Sequence, residues 1–155
     1  MGRTPQAETV VVGAGNPLLA DEGIGVCVVR ELAKRPDLPR GVDVVEAGAS
    51  PLALVHILSN RRRAVLVDCA RMGRAPGELC RFSPEGVSSL KRLPGLSLHE
   101  GDLLTSLEIA RRIGECPEDV VILGIEPEDT SFGSQVSRRL HGKIEDYVQA
   151  VLGEI

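Results

Sequence analysis

The sequence predicts an α/β fold: a three-layer α/β/α sandwich whose mostly parallel, twisted sheet lies between helices. Three observations lead there. Short apolar, β-branched runs recur along the chain at Thr9–Val12, Val42–Glu46, Ala64–Asp68 and Val120–Gly124, as expected for strands buried on both faces. Stretches with apolar residues at helical spacing separate them. Strand–helix alternation requires crossover connections, and these give a parallel sheet covered on both sides. The 155 residues match the size of one domain, so residues 1–155 are expected to form a single unit.

Each element follows from local pattern. Thr9–Val12 runs into Gly13, and Ile24, Val28 and Leu32 mark a helix across Gly23–Arg35. Pro51–Ser59 reads as a short helix with Ser50 as N-cap and Pro51 at its first position. Gly73, Pro76 and Gly77 mark a turn before an edge strand at Glu78–Phe82. Ser83–Leu90 opens with a cap-like Ser-Pro pair and reads as a short helix, and Leu93–Gly101 reads as a loop. Asp102–Ile113 is helical, with Leu103, Leu107, Ala110 and Ile113 on one side. Val136, Leu140, Ile144, Tyr147 and Val151 predict one long C-terminal helix.

Composition narrows the function. Hydrophobic residues make up 43% and aromatic ones 2%, so the core is aliphatic and few rings remain for stacking nucleic-acid bases. The net charge of −4 is the wrong sign for a phosphate footprint. No apolar run approaches the roughly 18–20 residues that span a bilayer, and no signal-peptide core precedes Gly13. The expectation is a cytoplasmic chain without nucleic-acid or membrane partners. Cys27, Cys69, Cys80 and Cys116 form no CxxC pair, which reads as reduced, mostly buried thiols.

In a doubly covered parallel sheet, ligands meet the carboxyl ends of the strands. The segments there are Gly13–Glu22, Glu46–Ser50, Asp68–Ala70 and Gly124–Glu128. Gly13-Ala14-Gly15 after a strand hints at a dinucleotide loop, but Leu18 stands where the third glycine belongs. Asp21 and Glu22 would also repel a phosphate at that helix start, so no nucleotide is expected. Either carboxylate alone reads equally as a helix-start residue. Gly23 and Gly25, which weaken the helix they open, make sense where another backbone approaches closely. Asp68 reads as ending its strand, either capping a turn or meeting a cation. His99 falls just before a helix, whereas His56 and His141 read as helix-surface residues. Glu22, Asp68 and His99 together make a mixed oxygen and nitrogen set near one sheet edge, suited to a divalent transition metal with open coordination positions. Neither Gly-x-Ser-x-Gly nor HExxH is present.

The stretch Val10-Val11-Val12-Gly13-Ala14-Gly15-Asn16-Pro17-Leu18-Leu19-Ala20-Asp21-Glu22-Gly23-Ile24-Gly25-Val26 resembles the opening signature of the hydrogenase maturation proteases. The likeness continues through Glu46–Ser50, Val65–Ala70, Ser97-Leu98-His99 and Leu123–Pro127, covering nearly the whole chain in order. Glu46 and Ala47 depart from the Asp-Gly-Gly-Thr or Asp-Gly-Gly-Ser loop common in that family. The resemblance implies a phosphorylase/hydrolase-like sandwich. It implies an endopeptidase that removes the C-terminal extension of the precursor large subunit of a nickel–iron hydrogenase after nickel insertion. It also implies that Glu22, Asp68 and His99 are both the catalytic and the metal-engaging residues, with nickel carried by the substrate. A monomer fits a small substrate-docking enzyme. Gly-Ala-Gly-Asn-Pro also resembles peptidyl-tRNA hydrolases, but the Thr-Arg-His-Asn type sequence they need is replaced here by an acidic stretch. A nickel-handling accessory protein would share the metal set without cleavage.

Overall fold

The computed structural model describes residues 6–47, 51–85, 97–98 and 102–155. Its strands are β1 (Thr9–Gly13), β2 (Val42–Glu46), β3 (Arg63–Arg71), β4 (Leu79–Phe82), β5 (Ser97–Leu98) and β6 (Asp119–Ile125). Its helices are α1 (Ile24–Ala33), α2 (Pro51–Leu58), α3 (Asp102–Arg112), α4 (Arg138–His141) and α5 (Ile144–Leu152), with a 3₁₀ turn at Ala20–Gly23 before α1. The sheet order is β2-β1-β3-β6-β4, and β5 pairs with β3. β1, β2, β3 and β6 run parallel, while β4 and β5 are antiparallel to their neighbours. The expected largely parallel sandwich is therefore present.

Strand alternation divides the core in two. Val10, Val12, Ala64, Leu66 and Ile122 pack with Leu54 and Leu58 of α2 and Leu103, Leu107 and Ala110 of α3. Val11, Val65, Val67, Val121 and Leu123 pack on the other face with Ile24, Val28 and Leu32 of α1, Leu140 of α4, and Tyr147, Val148 and Val151 of α5. Each fully buried aliphatic chain contributes roughly 1.5–3 kcal/mol. The connection through α1 steps from β1 to β2, and the one through α2 returns past β1 to β3. Right-handed crossovers running in opposite directions put their helices on opposite faces. The reversal of direction falls between β1 and β3, which is where such a sheet opens a crevice at its carboxyl edge.

Four sequence expectations change. Asp68 does not end β3, because Cys69 and Ala70 are also buried and the strand continues to Arg71 against β6 and β5. The Leu93–Gly101 region is not wholly a loop, since Ser97–Leu98 pairs with Arg71 and Ala70. The C-terminal helix is two helices: Lys143 N–H bonds Leu140 O three residues back, tightening the chain at Gly142, a weak helix former. Ile113 lies past the end of α3 and is 59% exposed, unlike Leu103, Leu107 and Ala110. Ser50, and Ser83–Leu90 beyond Glu85, lie outside the described residues.

Tyr147, the chain's one tyrosine, fixes α5 to the turn before β4 by donating its hydroxyl to Gly77 O at 2.6 Å. Burial, then the charge of Asp21, pushes its phenol up to about 12. Its ionisation, followed by ultraviolet absorbance, is expected near pH 12 when folded and near the ordinary value when unfolded. Because the folded value is the higher one, stability falls as pH rises through that interval. Tyr147→Phe should cost about 1–2 kcal/mol in urea denaturation, from the stranded carbonyl.

Candidate active site at the switch between β1 and β3

β1 ends at Gly13, opposite Val67 of β3, and Ala14 N–H still bonds Val67 O at 2.9 Å. One residue further, β3 has lost its β1 neighbour but keeps β6, with Asp68 opposite Gly124. Asp68 therefore stands at the mouth of the switch. It is 1% exposed, and its Oδ1 accepts the Cys69 N–H at 2.8 Å. Asp68 shares its strand face with Leu66 and Ala70, while Val67 and Cys69 join the opposite core.

Glycines let Glu22 approach this point. A Cβ on Gly25 would lie 2.3 Å from Val67 O and 2.6 Å from Ala14 O, so the start of α1 rests on the backbone of β1 and β3. This is the close approach expected from Gly25 in the sequence, and Gly23 similarly fits against Pro17. Gly15, at φ +121°, turns the chain in a region closed to most side chains. The site of a Cβ on Gly15 is 2.0 Å from Glu22 O and 3.5 Å from Asp68 Oδ1. Glu22 is half-buried, and its Oε2, like Asp68 Oδ2, lies away from solvent. The Glu22 backbone carbonyl and the Asp68 carboxylate thus both flank Gly15. His99 lies outside the described residues; Leu98, the residue before it, pairs with Ala70, two positions beyond Asp68. Among the described residues no group of three His, Cys, Asp or Glu side chains is arranged to hold a metal ion.

The two adjacent carboxylates have separate tasks. Asp21 is fully buried and accepts three backbone N–H groups: Glu128 and Asp129 at 2.9 Å each on Oδ2, and Ser137 at 2.7 Å on Oδ1. It thereby fixes the segment joining β6 to α4. Glu126, also buried, accepts Met72 N–H at 2.6 Å and ties the end of β6 to the end of β3. The sequence reading assigned Glu126 no task; its one signal is an acid directly after an apolar strand. Glu46, in the departing loop, pairs with Arg30 at 2.6 and 3.0 Å. His56 and His141 are surface residues, as expected. The cysteines are free, but only Cys69 is fully buried, because the other three sit at partly open edges. Burial, reinforced by the charges of Asp68 and Glu22, pushes the Cys69 thiol far above its ordinary range.

Hydrogen bonds to a charged acceptor contribute roughly 1.5–3 kcal/mol each. Asp21→Ala, which strands three donors, should lower stability by at least about 3 kcal/mol in urea denaturation. Asp21→Asn should lose less, since one acceptor oxygen remains. Because its thiol stays protonated, Cys69 should resist iodoacetamide at pH 8 until the protein is unfolded. Labelling of Cys69 as fast as Cys116 would contradict this.

Known proteins resemble the chain in sequence and in fold. Residues 26–154 match the family model described as HycI, hydrogenase maturation protease. The hydrogenase expression/formation protein HoxM of Cupriavidus necator is 31% identical over 141 residues, covering 90% of this chain and 70% of that protein. HupD of Bradyrhizobium diazoefficiens is 32% identical, and the match spans 62% of its length. The hydrogenase 2 maturation protease of Escherichia coli is 29% identical, covering 94% of this chain and 89% of that protein. The solved hydrogenase maturating endopeptidase HybD of E. coli superposes with a TM-score of 0.83 at 28% identity, covering 95% of this chain and 91% of that one. The chain belongs to the hydrogenase maturation protease family.

Proposed function

We propose that this protein is the endopeptidase that removes the C-terminal extension from the precursor large subunit of a nickel–iron hydrogenase, and that it engages nickel already seated in that precursor through Glu22, Asp68 and His99. The observation supporting this reading is that the Glu22 backbone carbonyl and the Asp68 carboxylate both lie against Gly15, at the switch between β1 and β3. The side chains of Glu22 and Asp68 are both carboxylates, oxygen donors that a divalent cation presented by the substrate can engage. An imidazole from His99 adds the nitrogen donor of a mixed set suited to nickel. The cation belongs to the substrate, so cleavage becomes conditional on nickel loading. Once docked it can polarise the scissile carbonyl or acidify a water, whose oxygen attacks that carbonyl while a carboxylate such as Glu22 or Asp68 accepts the proton it releases. No cysteine nucleophile is needed, consistent with the protonated Cys69 thiol.

The same reading makes residues 1–155 one maturation protease domain acting as a cytoplasmic monomer, without a nucleotide, nucleic acid or membrane as partner. In its support, among the described residues no helix is long and apolar enough to cross a membrane, and the net charge is −4.

Mass spectrometry of a nickel-loaded and a nickel-free precursor, each incubated with the protein, provides the test. Loss of a C-terminal peptide from the loaded form alone is expected. Glu22→Gln and His99→Ala should each lower the cleavage rate at least about a hundredfold, in the range seen for loss of metal-orienting contacts, with unchanged thermal unfolding. Normal processing by His99→Ala would sink the assignment of that residue.

A further inference from the structure

The chain has two phenylalanines. Phe82 packs against the core, whereas Phe132 is 86% exposed. Single exposed apolar residues are ordinary, but Phe132 is neither isolated nor loosely held. Gly133, the next residue, forms a parallel bridge with Leu19. Gly133 N–H donates to Leu18 O at 2.9 Å, and Ala20 N–H donates to Gly133 O at 2.8 Å. The bond from Gly133 N–H to Leu18 O therefore sets the Phe132–Gly133 peptide against the backbone of Leu18, itself 57% exposed. Below this bridge, Asp21 grips the same segment through Glu128, Asp129 and Ser137. Asp129 Oδ1 accepts Ser131 N–H at 2.8 Å, and Arg71 bonds Thr130. Both neighbours of the aromatic ring are therefore fixed before anything binds, which cuts the ordering cost of an encounter.

We propose that Leu18 and Phe132 form the apolar anchor on which the folded precursor large subunit docks. This rests on the function proposed above and adds the surface that the substrate uses. The ridge is continuous with the site: Leu18 is four residues before Glu22, and Glu22 N–H bonds Leu19 O at 3.0 Å. A protein presenting a reacting group to Glu22 must lie across this rim. Rigid aromatic anchors at such positions carry a disproportionate share of binding. Two side chains fall far short of the roughly 800 Å² per partner that a stable dimer buries, so the area favours a transient protein substrate over a second copy of the chain.

The test uses the full chain and a nickel-loaded precursor, with both the precursor Kd and the cleavage kinetics measured. Phe132→Ala and Leu18→Ala should each raise Kd and KM about tenfold while leaving kcat unchanged, and Phe132→Leu should recover part of the loss. Ile113→Ala, which removes an apolar chain about as exposed as Leu18 just past the end of α3, should change neither. Wild-type binding without cleavage would sink the proposed function and leave the docking surface standing. Wild-type cleavage with an unchanged Phe132→Ala Kd would overturn the docking surface alone. So would a wild-type dimer that Phe132→Ala dissolves without altering KM.

Discussion

Burying the Asp21 carboxylate completely obliges the chain to surround it with donors, and much of the carboxyl edge of the sheet follows from that requirement. Glu128, Asp129 and Ser137 supply their backbone N–H groups, so the segment after β6 must fold back over the 3₁₀ turn. Asp21 N–H returns a bond to Asp129 O at 2.9 Å, and the Leu19–Gly133 bridge continues the same seam. The start of α1 is thereby held from outside the sheet, while Gly25 lets it press onto the β1 and β3 backbone from within. Glu22 is caught between these two restraints. A segment fixed by packing and hydrogen bonds on both sides keeps its geometry.

The architecture was largely legible in the sequence because the strands of a sheet covered on both faces are strongly apolar. Thr9–Val12, Val42–Glu46 and Val120–Gly124 differ from the observed strands by at most a residue at each end. The errors fall where periodicity carries little information. Leu140 and Tyr147 do lie on one buried face, yet a helical repeat cannot reveal that Gly142 and Lys143 interrupt the axis between them. The two-residue strand β5 is too short to show an alternation at all, and its pairing with Ala70 and Arg71 is fixed by tertiary contact. Asp68 misled for a different reason: a carboxylate after four apolar residues looks like a strand end, and nothing local shows that β6 continues alongside it.

Of the site, the nearness of the segment after β1 to β3 could be anticipated, because the alternating pattern makes β1 and β3 parallel strands of one sheet. The division of labour between Asp21 and Glu22 could not. As neighbours in sequence they present the same chemistry, and only the chain folding back from Glu128 to Ser137 shows that Asp21 is fully enclosed while Glu22 is half-buried. The same holds for Glu126, whose bond to Met72 N–H joins residues 54 positions apart.

Cys69 shows how far adjacent positions can diverge in reactivity. A strand places successive side chains on opposite faces, so the residue after Asp68 is directed into the core formed with α1, α4 and α5. There its thiol is cut off from solvent and lies within reach of the charges of Asp68 and Glu22, both of which oppose its ionisation. Burial first, and then the charges of these two carboxylates, keep this thiol protonated. The Cys69 sulfur therefore serves packing in that core.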